Sequence, residues 1–344
     1  MNTKSVINLF STGVLLVALI FANTNSSAQS AQRYLLALSK SDHNLAIIDP
    51  ITLKILGRVP VGPDPHEIIA SSDGKTAYVS NMGGGFHEMN VIDIIAQKAL
   101  PNIDTKSFIG LHGLVFVGGK IWFTAEGSKS IGRVDPTTKE IDWSMGTGQD
   151  RTHMIYVTPD EKRIYTTNVN SSTVSILADT LLMPGKGAPS SAKPRHEWTQ
   201  TVIPVGQGSE GFDVSPDGKQ LWTAGSGDGI ISIINLTSKK VAFTIDAKVM
   251  GANRLKFTPD GKHVLITSLG IGDLFIYDVA SRKELKRLSI GHGASGILMD
   301  PDGTRAFVAC SPDNFVAVID LKTLEVIGKF EIKGPDGLAW SIKP

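Results

Sequence analysis

The stretch P-H-E-I-I-A-S-S-D-G-K-T-A-Y-V-S-N, residues 65–81, returns in altered form about six more times along the chain. Each copy starts on a short polar residue, runs through an apolar strand, turns on an S/T-P-D-G-K-like corner and climbs back along a second strand. Aligned on the corner, the copies begin at His66, His112, His153, Glu210, Asn253, Ser295 and Asp336. Asp-Gly supplies the positive φ of a tight hairpin, and a preceding Pro presets the turn. The corners read S-S-D-G-K (71–75), V-G-G-K (117–120), T-P-D-E-K (158–162), S-P-D-G-K (215–219), T-P-D-G-K (258–262) and D-P-D-G-T (300–304). Flanking runs such as 76–80, 163–167 and 263–267 are rich in β-branched and aromatic residues and read as strands. A third strand follows in most copies, for example at 91–94 and 316–319, and a D-x-x-T-like turn leads to a fourth.

Four strands per roughly 40 residues, repeated radially, predict an all-β chain folded as a β-propeller. A lone four-stranded blade cannot bury its faces, so stacked neighbours make the core. Seven blades are expected. Residues 34–62 supply only second, third and fourth strands, and residues 335–344 only a first strand. The two ends are therefore expected to share one blade, which closes the ring and hides both open edges.

The motifs Y-V-S-N (78–81), V-I-D (91–93 and 318–320) and P-D-G-K resemble those of the YVTN-type propeller family. The resemblance covers nearly all of the chain after residue 28. It implies the fold, and such propellers serve many purposes.

Residues 1–28 read as an export signal. Lys4 gives a positive start, residues 14–22 an apolar run, and Ser26-Ser27-Ala28 a small-residue cleavage site. The run is too short to favour a membrane span, so a periplasmic or secreted product with no span after cleavage is expected. Cleavage removes Lys4 and no acid, taking 34 basic residues to 33 against 33 acidic ones. That balance gives no basic surface for nucleic acid. Cys310 is the single cysteine, so no internal disulfide forms. Residues 178–201, rich in Pro, Gly, Ser and Ala, read as a surface loop inserted in the fourth blade, with Arg195 and His196 on it. The glycine-rich residues 82–89 read as a second loop, at the mouth. Blade stacking satisfies the core within one chain, so a monomer is expected.

First strands line a propeller's axis, and their starts cluster at one mouth of the channel. Second strands run back to the same mouth, ending at Ser39, Asn81, Glu126, Asn168, Gly225, Ser268 and Cys310. His112 and Glu126 are thus expected to be neighbours. Three consecutive blades offer imidazole and the next offers carboxylate, a donor set that suits a divalent transition metal. His66, His112, His153 and Glu210 are the expected ligands. Asn81, Asn168, Asn253, Ser295 and Asp336 are the expected ligand-binding positions around them.

L-H-G-L-V-F-V-G-G-K-I-W-F-T-A-E-G-S-K-S-I-G-R-V-D-P (111–136) resembles the blade motif of the streptogramin (virginiamycin B) lyases. That family opens a cyclic lactone by elimination with a divalent metal. The resemblance implies His112 as base, with Glu126 and His66 as metal ligands. The family's acid two residues before the base is replaced here by Gly110, and Glu126 stands one residue late, a shift that the short 117–120 corner is expected to absorb. R-T-H (151–153) with T-N-V-N-S-S-T-V (167–174) is similar to a blade of seven-bladed lactonases, whose acid is replaced by Val169.

Three readings follow. The chain is a propeller that binds a small molecule or protein at its mouth, with a divalent metal in the ring. Alternatively it is a metal-dependent lyase or lactone hydrolase in which His112 moves the proton. A redox role would place copper or iron in the ring, without covalent haem, because no C-x-x-C-H motif exists.

Overall fold

Corner chemistry explains where the chain turns. Ser71, Thr158, Ser215 and Thr258 donate to the carboxylates of Asp73, Asp160, Asp217 and Asp260 at 2.6–2.7 Å. Each of those carboxylates also accepts the backbone N–H two residues on, at 3.0–3.1 Å. The hydroxyl bonds hold the four carboxyls below their usual range. Such side-chain closures are what make S/T-x-D-x-K a turn.

The computed structural model describes residues 1, 2 and 33–343, apart from 83, 84 and 188. The export-signal expectation therefore lies outside the described residues, save for the first two, and so do Gly83 and Gly84 of the glycine-rich loop. The chain divides into two units, Met1–Ser30 and Ala31–Pro344. All described strands belong to the second.

Among the described residues 28 strands, numbered β1 to β28 in chain order, form seven four-stranded antiparallel sheets. The fold is a seven-bladed β-propeller. Blade 1 is β28 (Pro335–Ile342), β1 (Arg33–Ser39), β2 (Asn44–Ile48) and β3 (Ile55–Pro60), in that order. It joins the two ends as expected, with Leu35 opposite Trp340 and Ala37 opposite Leu338. Blades 2 to 7 take the remaining strands in fours. Their innermost strands are β4 (Pro65–Ala70), β8 (Leu111–Val117), β12 (Thr152–Val157), β16 (Ser209–Val214), β20 (Ala252–Phe257) and β24 (Ala294–Met299). These touch in succession round the axis, and β24 meets β28 to close the circle.

Burial follows position in the blade. Second strands such as β5 (Thr76–Asn81) and β9 (Lys120–Ala125) are buried at every residue after the first. They are sandwiched between neighbouring blades, so apolar residues follow one another without alternation, as in Ala77-Tyr78-Val79 and Ile121-Trp122-Phe123. Outer strands such as β11 (Ile141–Gly146) alternate between half-buried and exposed. Leu36, Leu45 and Ile47 of blade 1 pack with Ile68, Ala77 and Val79 of blade 2, while Leu35 and Ile48 pack with Phe307 and Val318 of blade 7.

The insertion in blade 4 differs from the loop expected over residues 178–201. β14 (Thr173–Leu182) and β15 (Arg195–Pro204) run ten residues each and pair along their whole length. The loop shrinks to residues 183–194. Ladder pairing satisfies the backbone groups that a long loop would leave to solvent. Arg195 and His196 sit on β15, where His196 meets Asp179 at 2.9 Å.

In four of the seven blades one hydroxyl fixes the axial strand. Each first strand starts with a bulge that strands a backbone N–H. Ser80, Thr124, Thr167 and Thr267 accept from that N–H, at Glu67, Gly113, Met154 and Arg254. The same hydroxyls donate to a carbonyl on the next blade, at His112, His153, Glu210 and Ser295. Ser80 is the S of Y-V-S-N. The motif's hydroxyl thus ties blades 2, 3, 4 and 6 to the starts of their neighbours.

Candidate functional site

Three positions repeat sevenfold at the mouth, and their backbone geometry is set before any side chain acts. The seven first-strand starts all line one cavity of about 190 Å³. Two residues before each start, the chain has positive φ: at Asp64, Gly110, Arg151, Gly208, Gly251, Gly293 and Gly334. The carbonyl there accepts the N–H of the first residue past a second strand, namely Met82, Glu126, Val169, Ser226, Leu269, Ser311 and Lys40 in the same order, at 2.8–3.4 Å.

That pattern corrects the register of Glu126. The true second-strand end in blade 3 is Ala125, which faces Leu111 just as Asn81 faces Pro65 and Asn168 faces Thr152. The short 117–120 corner does not move Glu126 back. It occupies the next position, the one that Lys40, Leu269 and Ser311 use to line the cavity.

The structure gathers the expected site residues unequally. His112, Glu126 and His153 each bring a donor atom to within 4.8 Å of the others. The His112 and His153 rings lie 3.7 Å apart at 33°. Glu126 meets His153 Nδ1, and Arg151 reaches both Glu126 at 3.4 Å and Glu210 at 3.2 Å. Glu210 also accepts from Asn253 at 2.6 Å, and its Oε2 stands 3.9 Å from His153 Nε2. His66 belongs to a second group: its Nε2 faces Lys40 Nζ at 3.1 Å, and Lys40 reaches Asp336 and Asp64 at 3.2 Å each. The His66 and His112 rings are 5.2 Å apart. Ser295 lines the cavity wall. Asn81 and Asn168 do not enter it: Asn81 caps Pro63 O at 2.9 Å, and Asn168 bonds Thr152, Thr173 and Ser175 inside its own blade.

His112 and His153 are 1% exposed, and His112 Nδ1 and His153 Nε2 have no hydrogen-bond partner. Buried polar atoms without partners are rare enough to need a reason. Burial, with the nearby His153 and Arg254 charges, pushes His112 well below the usual imidazole range; burial and Arg254 do the same to His153. Both rings are neutral at neutral pH, so each keeps a lone pair. With the His153 Nδ1 proton directed at Glu126, its free lone pair is on Nε2. Burial also lifts the Glu126 carboxyl above its usual value, against the pull of Arg151.

Sequence reasoning missed Lys40, Asp64, Glu67, Arg151 and Arg254. Arg254 is 6% exposed and pairs with Glu67. A signal for two of them was present: the residue two before each start is Gly in five copies, and only Asp64 and Arg151 depart from it.

No family model matches the chain, and no curated protein matches it. Solved structures share its fold. A candidate 6-phosphogluconolactonase of Bacteroides uniformis superimposes with a TM-score of 0.73 at 14% identity, covering 91% of this chain and 100% of that one. One from Bacteroides fragilis gives 0.72 at 16%, covering 92% and 99%. Hydrazine synthase of Kuenenia stuttgartiensis gives 0.66 at 18%, covering 80% and 89%. The likeness is one of fold. At these identities it carries the architecture, and the chemistry must be read from the mouth itself.

Proposed function

We propose that the chain is an exported, monomeric propeller of the YVTN type whose axial mouth binds a divalent transition metal and, beside it, a small ligand. The observation that carries the metal is the pair of orphaned, neutral imidazole nitrogens, His112 Nδ1 and His153 Nε2, next to Glu126. The two nitrogens, with Glu210 Oε2 at 3.9 Å from His153 Nε2, are a donor set for zinc and its neighbours, and Glu126 holds the His153 ring through Nδ1. The charges agree. Asp64, Glu67, Glu126, Glu210 and Asp336 face Lys40, Arg151 and Arg254, five acids against three bases, and a divalent ion balances the difference.

The test is metal content after exposure to zinc, copper, nickel and manganese in turn. The wild type should retain one ion per chain, and His153→Ala should lose it. Glu126→Gln should weaken binding by about 10–100-fold, the usual effect of removing a partner of a metal-bound imidazole. A wild type that keeps no stoichiometric ion ends this reading.

A second reading, opening of a cyclic ester, is favoured by the neutral, unpartnered Nδ1 of His112, an acceptor suited to proton transfer. The 111–136 resemblance to streptogramin lyases and the lactonase names of two fold relatives point the same way. The readings separate on one variant. His112→Ala loses the metal under the first, and under the second keeps it while losing turnover of a lactone panel.

A further inference from the structure

We propose that the ligand of the axial mouth is a small oxyanion, a carboxylate or phosphate, held by Lys40, Arg151 and Arg254. The inference rests on the reading of the mouth as a ligand site but not on the metal. The cavity's own wall carries three cations, Lys40, Arg151 and Arg254, and two acids, Glu210 and Asp336, with three histidines. The other acids that hold these cations, Asp64, Glu67 and Glu126, are not part of that wall. On the wall itself the cations therefore outnumber the acids, three to two.

Two of the three cations occupy positions that the fold alone would give to glycine. Arg151 has φ of 56°, where five of seven copies have Gly. A side chain in that region is strained by its Cβ. Arg254 follows a first-strand start, where four copies have Gly113, Gly211, Gly296 and Gly337. A Cβ on those four would come within 2.2–2.6 Å of the next blade's backbone. Arg254 is buried, and burial opposes its charge, but Glu67, Asp336 and Glu210 outweigh that and keep it protonated. A guanidinium has five N–H donors. Here one meets Glu67 and another the Asn253 carbonyl at 3.5 Å, which leaves donors for the cavity that Arg254 lines. A planar fork of this kind suits carboxylate and phosphate. The volume, about 190 Å³, equals that of about six water molecules. The ligand is therefore small, of the order of a short dicarboxylate.

The test is calorimetric titration of the full chain, metal-stripped and zinc-loaded, with succinate, inorganic phosphate and uncharged succinamide. Succinate or phosphate should bind and succinamide should not, and the preferred anion names the oxyanion. Arg151→Gly should weaken anion binding by about tenfold or more, the effect of losing one charged hydrogen bond, while still folding, because glycine suits that backbone. Arg254→Met should weaken it at least as much. Succinamide binding as tightly as succinate would leave a ligand site but overturn its anionic character. Failure of both anions in both metal states, or unchanged affinity in a folded Arg151→Gly, overturns the proposal. Zinc binding without anion binding sinks this inference and spares the metal reading; anion binding by a chain that takes no zinc does the reverse.

Discussion

His112 and His153 spend the folded state neutral, and that has a measurable cost in acid. Their folded values lie well below the usual imidazole value, near 6.5. Below about pH 6.5 the unfolded chain takes up protons that the folded chain refuses, so stability falls as pH drops through that window. Glu126 acts oppositely: its raised value means the folded form holds a proton above pH 4.5, and that contribution fades as pH rises. Thermal melts from pH 8 to pH 5 should show a falling limb in the wild type, flatter in the His112→Gln, His153→Gln double variant. Equal slopes would mean that the rings are protonated inside the fold. The imidazoles were legible in the sequence because the repeat puts them in one register. Arg151 and Arg254 were not, because a repeat fixes where a side chain starts and says nothing of how far across the channel it reaches.

The hairpin of first and second strands works as a unit through one hydroxyl. Thr124 accepts from Gly113 N–H at 2.8 Å and donates to the His153 carbonyl. Thr124→Val keeps the shape and strands both buried groups, at about 1–3 kcal/mol each. Urea denaturation should show a lower midpoint with an unchanged slope, and zinc affinity should drop with it because the His153 backbone loses its tie. A variant with wild-type midpoint would remove the clamp from the account. Gly211→Ala should also destabilise the chain, since its Cβ would stand 2.5 Å from the Asn253 carbonyl oxygen. The strands themselves were plain in the sequence from β-branched runs and Asp-Gly corners. The one-residue displacement of Glu126 was not, because corner length and strand end trade off and only the ladder, Leu111 against Ala125, decides between them. The extension of β14 and β15 was hidden for a related reason: Pro, Gly and Ser mark the tip at 183–194, and their composition spread the loop over its paired flanks.

The ring as a whole was predictable from its ends, since each supplied what the other lacked. β28 pairs with β1 from Arg33 opposite Ile342 to Ser39 opposite Pro335. A chain truncated after Lys333 should therefore leave the β1 edge bare and the axial circle open. Its cooperative melt should be lost and it should aggregate, as seen by scattering and circular dichroism. Retention of a sharp melt near the wild-type temperature would show that blade 1 stands without β28.

That same closure orders events in time. β1 is made about 300 residues before its partner β28, and joining ends so far apart costs about 5 kcal/mol of chain entropy before any contact repays it. Blades 2 to 7 can stack from local hairpins as they appear, whereas the first-made strands must wait. Throughout synthesis the chain is held one strand short of a ring, and the mouth lacks Asp336, the last of its seven first-strand starts. The wall of the axial cavity is thus completed by the final step of folding, and an incomplete chain lacks that part of it.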